Sequence, residues 1–154
     1  MVIEERLRGL GIELPPVPVP VATYVPVRIV GDLAFVAGQI AIDDGVVRHP
    51  GKLGAEVRVA DGQDAARRCG LQALSALRGA LGSLDRVAGI VQLTVFIASA
   101  PGFTDHPKVA NGASDLFVEV FGEDGKHARA AVGVAELPLG GSVEVAVIAQ
   151  VASS

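Results

Sequence analysis

The chain is poor in most of what would announce a function. It has one cysteine, Cys69, one tyrosine, Tyr24, and no tryptophan. A single thiol cannot close an internal disulfide, so nothing points to an oxidising compartment. So few rings leave no stacking platform for single-stranded nucleic acid. Basic charge is sparse as well: the net charge is −4, and the densest basic cluster is the pair Arg67 and Arg68. A nucleic-acid partner is therefore not expected. No run approaches the roughly 20 apolar residues that a membrane helix needs. The first residues, MVIEERLRGLGIELPP, are too charged for a signal peptide. The expectation is a cytoplasmic protein with no membrane partner. Common site motifs are missing too: there is no phosphate loop, no GxGxxG after a strand, no GxSxG and no HExxH. The three histidines, His49, His106 and His127, lack metal-ligand spacing.

What the chain does have is apolar material. Half of its residues are hydrophobic and 19% are charged. That suffices for a core in one domain over residues 1–154, with residues 1–14 as a short N-terminal helical extension. The apolar share also hints at self-association.

The pattern along the chain predicts α+β architecture. Val2, Ile3, Leu7 and Leu10 recur at helical spacing, and Gly9 and Gly11 end that helix. Four prolines between 15 and 20 forbid helix and predict an extended segment at a sheet edge. RIVGDLAFVAGQIAI reads as a β-hairpin turning at Gly31-Asp32, followed by a loop over 43–56. The long apolar stripe of 62–84, through Ala66, Cys69, Ala73 and Leu77, predicts a helix capped by Asp61 and ended by Gly82. The nearly continuous apolar run of 87–99 predicts a strand covered on both faces. A second helix is expected over 104–121, with Thr104 as cap and Pro107 in its first turn. Strands over 128–136 and 142–151 close the chain around LPLGG. The order β-β-α-β-α-β-β implies one mixed or antiparallel sheet with the helices on one face.

Two lone charges stand out. Arg129 sits in HARAAVGVAELP and shares its strand face with Ala131 and Gly133. Those small neighbours leave space above the sheet, while Ala130, Val132 and Val134 suit a packed core. An arginine there has a bland reading, a strand-end charge reaching solvent or an ion pair. It also has a functional one, a fork that grips a carboxylate. Glu144 is the second lone charge, on the face of the last strand with Ala146, Ile148 and Gln150. It either pairs with a cation such as Arg129, guards an edge, or positions water in a pocket. Cys69 lies on a helix core stripe, where apolar surroundings raise a thiol pKa and disfavour nucleophilic use. The sole tyrosine and sole asparagine, Tyr24 and Asn111, each have an ordinary packing or hydrogen-bonding role available.

Taken together, the landmarks resemble the RidA family, also called YjgF or L-PSP proteins. They are TYV, DLAFVAGQIAI, the DGQDAARRCGLQALSALRGALGSLDRV helix, IVQLTVFIA, ANGASDLF, ARAAVGVAELP and VEVAVIA, in that order. The longer N-terminal and middle segments resemble a divergent subgroup. The resemblance implies a chorismate-mutase-like fold and a homotrimer with a barrel-like core and a site in each cleft between subunits. It implies hydrolysis of reactive enamines and imines, of the 2-aminoacrylate type, to 2-keto acids and ammonia, with no cofactor and no metal. The alternatives are a non-catalytic module that binds small carboxylates and, behind it, an endoribonuclease or translation inhibitor. By position, Arg129 clamps the substrate carboxylate and Glu144 orients or activates water. Tyr24 and Asn111 line the cleft, and Gly38 lets backbone approach the substrate. Ala131 is expected among the substrate-binding residues, at the site where better-known members carry cysteine, and Lys126-His127-Ala128 replace their Phe-Pro-Ala.

Overall fold

A computed structural model describes residues 2–20 and 22–153; Met1, the first residue of the expected extension, lies outside that set. Helix α1 (Ile3–Gly9) buries Ile3 and Leu7. Its Glu4 accepts hydrogen bonds from Arg78 at 2.9 and 2.6 Å and from the Leu84 amide at 3.1 Å. The Arg78 contact holds the Glu4 carboxyl below the usual carboxylate range. The N-terminal extension is thereby tied to the far end of the next long helix.

The proline-rich segment is extended, as expected, but it does not join a sheet edge. Its prolines cannot donate to a β-ladder. It lies instead along helix α2 (Val59–Leu81), where Ser75 Oγ donates to the Pro15 carbonyl at 2.6 Å and Gly79 makes room for Val17. Strands β1 (Val27–Val30) and β2 (Leu33–Ile40) form the hairpin, with Gly31 at φ +61°. The expected loop after it contains a second small hairpin, β3 (Ile42–Asp43) and β4 (Val46–Val47). Asp44 and Gly45, at φ 53° and 80°, supply its tight turn.

Helix α2 begins earlier than the apolar stripe indicates. Arg58 is the cap residue, and no side chain caps the end. Asp61 lies in the first turn, where its carboxylate suits the helix dipole, and it pairs with Arg58 and His49 rather than capping. Gly82 ends the helix at φ +85°, as its sequence position predicts. Strand β5 (Val87–Ala98) follows, then helix α3 (His106–Phe121), which starts two residues past Thr104 with Pro107 in its first turn. Strands β6 (Ala128–Val134) and β7 (Val143–Val151) complete the chain.

The five-stranded sheet has the order β1-β2-β7-β5-β6. β5 and β6 run parallel, joined through α3, and the other neighbours are antiparallel. Both long helices cover one face, over Leu93, Val95, Ile97, Val143, Val145 and Val147, all buried. Nothing among the described residues covers the opposite face, where Phe35, Val91 and Val132 are each about 40% exposed. The strand expected to be covered on both faces is thus covered on one. The edge strand is also inverted relative to expectation: Val132 faces out, and Ala131 packs toward the core.

The two helices approach closely enough that a β-carbon on Gly112 would collide with the Gln63 carbonyl. Backbone cannot yield as a side-chain tip can. Gly112→Ala is therefore expected to force the helices apart, at a cost of about 2–3 kcal/mol and a loss of roughly 5–10 °C in Tm. Thermal unfolding followed by circular dichroism reads this directly; an unchanged Tm would refute the close packing.

Candidate functional site

The residues singled out from the sequence fall into two groups on one chain. The first group surrounds Arg129. This residue pairs with Leu93 on the neighbouring strand, whose side chain is buried beneath the helices. Arg129 therefore rises on the helix side of the exposed edge strand and meets α3. Its Nη1 donates to Asn111 Oδ1 at 2.8 Å and to Ser114 Oγ at 3.1 Å, and Nη2 lies 3.5 Å from the Pro107 carbonyl. All three partners are neutral. Among the described residues no carboxylate forms a salt bridge with Arg129. Arg129 and Asn111, each expected at the cleft, are in direct contact.

The space expected above Ala131 and Gly133 is mostly used. Ala131 is partly buried against the core. A β-carbon on Gly133 would stand 2.8 Å from His106 Nε2 and 3.2 Å from Ser99 Oγ. The small residues of this strand face admit α3 and His106. What remains open is the outer end, at the guanidinium.

The second group surrounds Glu144. This residue pairs with Ile40 on one side and Phe96 on the other, and Phe96 pairs with Val132. That row lies on the uncovered face. Glu144 and Arg129 are thus on opposite faces of the sheet with β5 between them, and they form no bridge within a chain. Glu144 lines a cleft of about 720 Å³ with Tyr24, Gly38, Gln39, Arg68 and Gln72. Proline rings of the segment before Tyr24 and Leu139 supply its apolar walls.

Gly38 packs closely against the Glu144 side chain. A β-carbon at this position would stand 2.6 Å from Glu144 Oε2. The ladder between β2 and β7 shifts register between Val36 and Gln39, which brings Gly38 under the carboxylate. Gln72, buried in α2, holds the displaced strand end. Its Nε2 donates to the Ile40 carbonyl at 2.7 Å, and its Oε1 accepts from the Ile42 amide at 2.9 Å. Arg68 Nε donates to the Ile42 carbonyl at 2.9 Å. No sequence motif marks Gln72 or Arg68; both are polar positions on a helix whose apolar stripe reads as the informative feature.

Burial raises the Glu144 carboxyl above its usual pKa, and no hydrogen bond or salt bridge to it is recorded among the described residues. A carboxylate so placed is a candidate proton acceptor, because its affinity for a proton is moved toward neutrality. Cys69 is fully buried, its Sγ 3.5 Å from the Val143 carbonyl, and burial pushes its thiol pKa up. It is no nucleophile. His49 sits in a surface network, 2.8 Å from Asp64. Among the described residues no group of three His, Cys, Asp or Glu side chains is placed to hold a metal, and no helix is long and apolar enough to cross a membrane.

Comparison with known proteins places this geometry. A family model described as "YjgF/chorismate mutase-like, putative endoribonuclease" matches residues 4–151. Protein TCP17 of Trypanosoma cruzi is 49% identical over 144 residues, covering 93% of this chain and 90% of that one. A Shewanella oneidensis structure of the same endoribonuclease description superposes with a TM-score of 0.93 at 34% identity, over 98% of this chain and all of the other. The structure of Escherichia coli TdcF with bound serine is more distant, with a TM-score of 0.62 at 27% identity, over 87% of this chain and 92% of that one. The gap between these two scores fits a subgroup with extra segments around a shared core. With its mixed sheet, its two covering helices and a match over nearly its whole length, the chain belongs to the YjgF/chorismate mutase-like family, the one that includes the RidA proteins.

Proposed function

We propose that the chain works as a homotrimer that hydrolyses enamines and imines of the 2-aminoacrylate type to 2-keto acids and ammonia. The observation that carries this reading is a pair of complementary deficits. Arg129 has no carboxylate partner, Glu144 has no cation, and one chain keeps them on opposite sheet faces. A neighbouring copy seated on the uncovered sheet face brings both groups to one cleft, where the substrate carboxylate meets the arginine and water meets the glutamate. It covers Phe35, Val91 and Val132, and it sets the Arg129 and Asn111 of one subunit against the Tyr24, Gly38 and Glu144 of the next.

The chemistry then follows from the groups present. Arg129 fixes the carboxylate of the imino acid, which sets the imine carbon at a constant distance from the water beside Glu144. Glu144 takes a proton from that water as the oxygen bonds to carbon, and the C=N electron pair moves to nitrogen. The proton passes to nitrogen to give a carbinolamine; Glu144 then carries the hydroxyl proton to the amine as the carbonyl forms, the C–N bond breaks and ammonia leaves. An imine is already electrophilic, so positioning and one base suffice. The serine bound to TdcF is an amino acid with the carboxylate that such an anchor takes.

The endoribonuclease description in the family does not fit the charges of this chain. Arg48, Arg67, Arg68 and Arg78 each pair with an Asp or Glu, so they do not form an open basic stripe for phosphates. The test is an ammonia assay with 2-iminopropionate generated by an amino-acid oxidase, alongside sedimentation of the purified protein. The expected results are faster ammonia release and a particle three times the 15.7 kDa chain mass. Saturable binding of a 2-keto acid without turnover would favour the binding module instead. RNA cleavage that survives nuclease removal and is lost in a Glu144 variant would favour the endoribonuclease.

A further inference from the structure

We infer that Ser114 and His127 are positioning residues that aim the Arg129 guanidinium at the substrate carboxylate. The inference rests on the reading of Arg129 as the anchor. An arginine on an exposed edge strand has a flexible side chain, and freezing it costs rotamer entropy. Something must hold the fork before substrate arrives if binding is to be strong.

The structure contains such a device, and its hydrogen-bond order is fixed by chemistry. His127 Nδ1 lies 2.7 Å from the Gly125 carbonyl, which can only accept, so the proton of the neutral ring is on Nδ1. Nε2 then carries the lone pair, and at 2.8 Å it accepts from Ser114 O–H. With its hydrogen committed to His127, Ser114 Oγ turns a lone pair to Arg129 Nη1 at 3.1 Å. Asn111 Oδ1 takes the second Nη1 hydrogen at 2.8 Å. The imidazole is further held edge-on to Phe117, with ring centroids 6.2 Å apart and planes at 84°. The relay runs from backbone carbonyl to imidazole, hydroxyl and guanidinium.

Two consequences follow. Both Nη1 hydrogens are used, while Nε has no recorded partner among the described residues and Nη2 has one long contact, at 3.5 Å. The guanidinium therefore offers its Nε–Nη2 edge, the side that presents two parallel N–H groups to a carboxylate. None of the groups that hold the guanidinium is a carboxylate. An aspartate in place of Ser114 would hold the arginine as firmly but would compete with the substrate for its charge. A serine backed by a histidine orients the fork and leaves the charge available.

The test is calorimetric binding of pyruvate to the assembled protein, with steady-state kinetics on the imine. Ser114→Ala and His127→Ala are each expected to weaken binding about 10-fold and to raise KM with little change in kcat. The double variant should be no worse than either alone, because both break one relay. Ser114→Thr, which keeps the hydroxyl, should restore most of the affinity, and in an Arg129→Lys background Ser114→Ala should change nothing further. Nitrogen NMR should show His127 protonated on Nδ1. Wild-type affinity in Ser114→Ala, additive losses, or an equal loss in the Arg129→Lys background would overturn the relay while leaving the anchor intact. Pyruvate binding indifferent to Arg129→Lys would instead overturn the anchor itself, and the relay's purpose with it.

Discussion

Equal amounts of Arg129→Ala and Glu144→Gln chains, dissociated and reassembled together, are expected to recover about one quarter of wild-type turnover, although each variant alone is nearly inactive. Arg129→Ala removes the proposed charge-assisted, two-pronged anchor and should lower kcat/KM by about 100-fold or more. Glu144→Gln removes the proposed proton acceptor and should lower kcat by about 100- to 10,000-fold. In the proposed cyclic trimer each site would take Arg129 from one copy and Glu144 from the next. A random mixture gives an intact arginine in about half the positions and an intact glutamate in about half of their neighbours, so about one site in four is whole. A site built within one chain predicts no recovery, since every chain carries one lesion. The separation of the two residues within the fold makes the outcome a sharp one. They stand on opposite faces, in register with Leu93 and Phe96 respectively, with a full strand between them. No side-chain rotation brings them together.

The same separation shows where the sequence ceases to be informative. Arg129 and Glu144 are visible as lone charges in apolar strands, and Asn111 and Tyr24 as single occurrences of their residue types. The direction in which each strand face points is not visible. In β6 both faces carry small or apolar side chains, because one packs under α3 and the other is left open on the sheet. A pattern of apolar residues on both faces does not tell a neighbouring helix from a neighbouring subunit. The strand 87–99 misleads in the same way. The role of Gly38 depends on a register shift between Val36 and Gln39, a tertiary event with no local signature. Ser114 and His127 did leave a trace. Asn111 and Ser114 are one turn apart on a helix, and His127 lies two residues before Arg129, just ahead of β6. Four polar side chains at those spacings converge on one point, which only the packing of α3 against β6 reveals.

The second large effect is on pH dependence, and it belongs to Glu144. Burial raises its carboxyl pKa in the folded protein, whereas in the unfolded chain it takes the ordinary value. Two measurements follow from that one fact. The carboxylate must be ionised to accept a proton from water, so kcat should fall as pH drops through the raised pKa. That acid limb should lie above the ordinary glutamate range of about 4.3, and in Glu144→Gln it should vanish together with most of the rate. For folding, the sign is the reverse of a salt-bridged acid. Between the ordinary and the raised pKa the folded state holds the proton more tightly, so stability falls as pH rises through that window. Glutamine never ionises and escapes the loss. Glu144→Gln should therefore melt higher than wild type at pH 8, and the difference should shrink toward nothing at pH 4. A gap of equal size at both pH values would mean that the carboxylate is not desolvated, and its candidacy as the proton acceptor would fall. The higher melting temperature and the lost turnover, appearing in a single variant, would mark Glu144 as a group kept for chemistry against the interest of the fold.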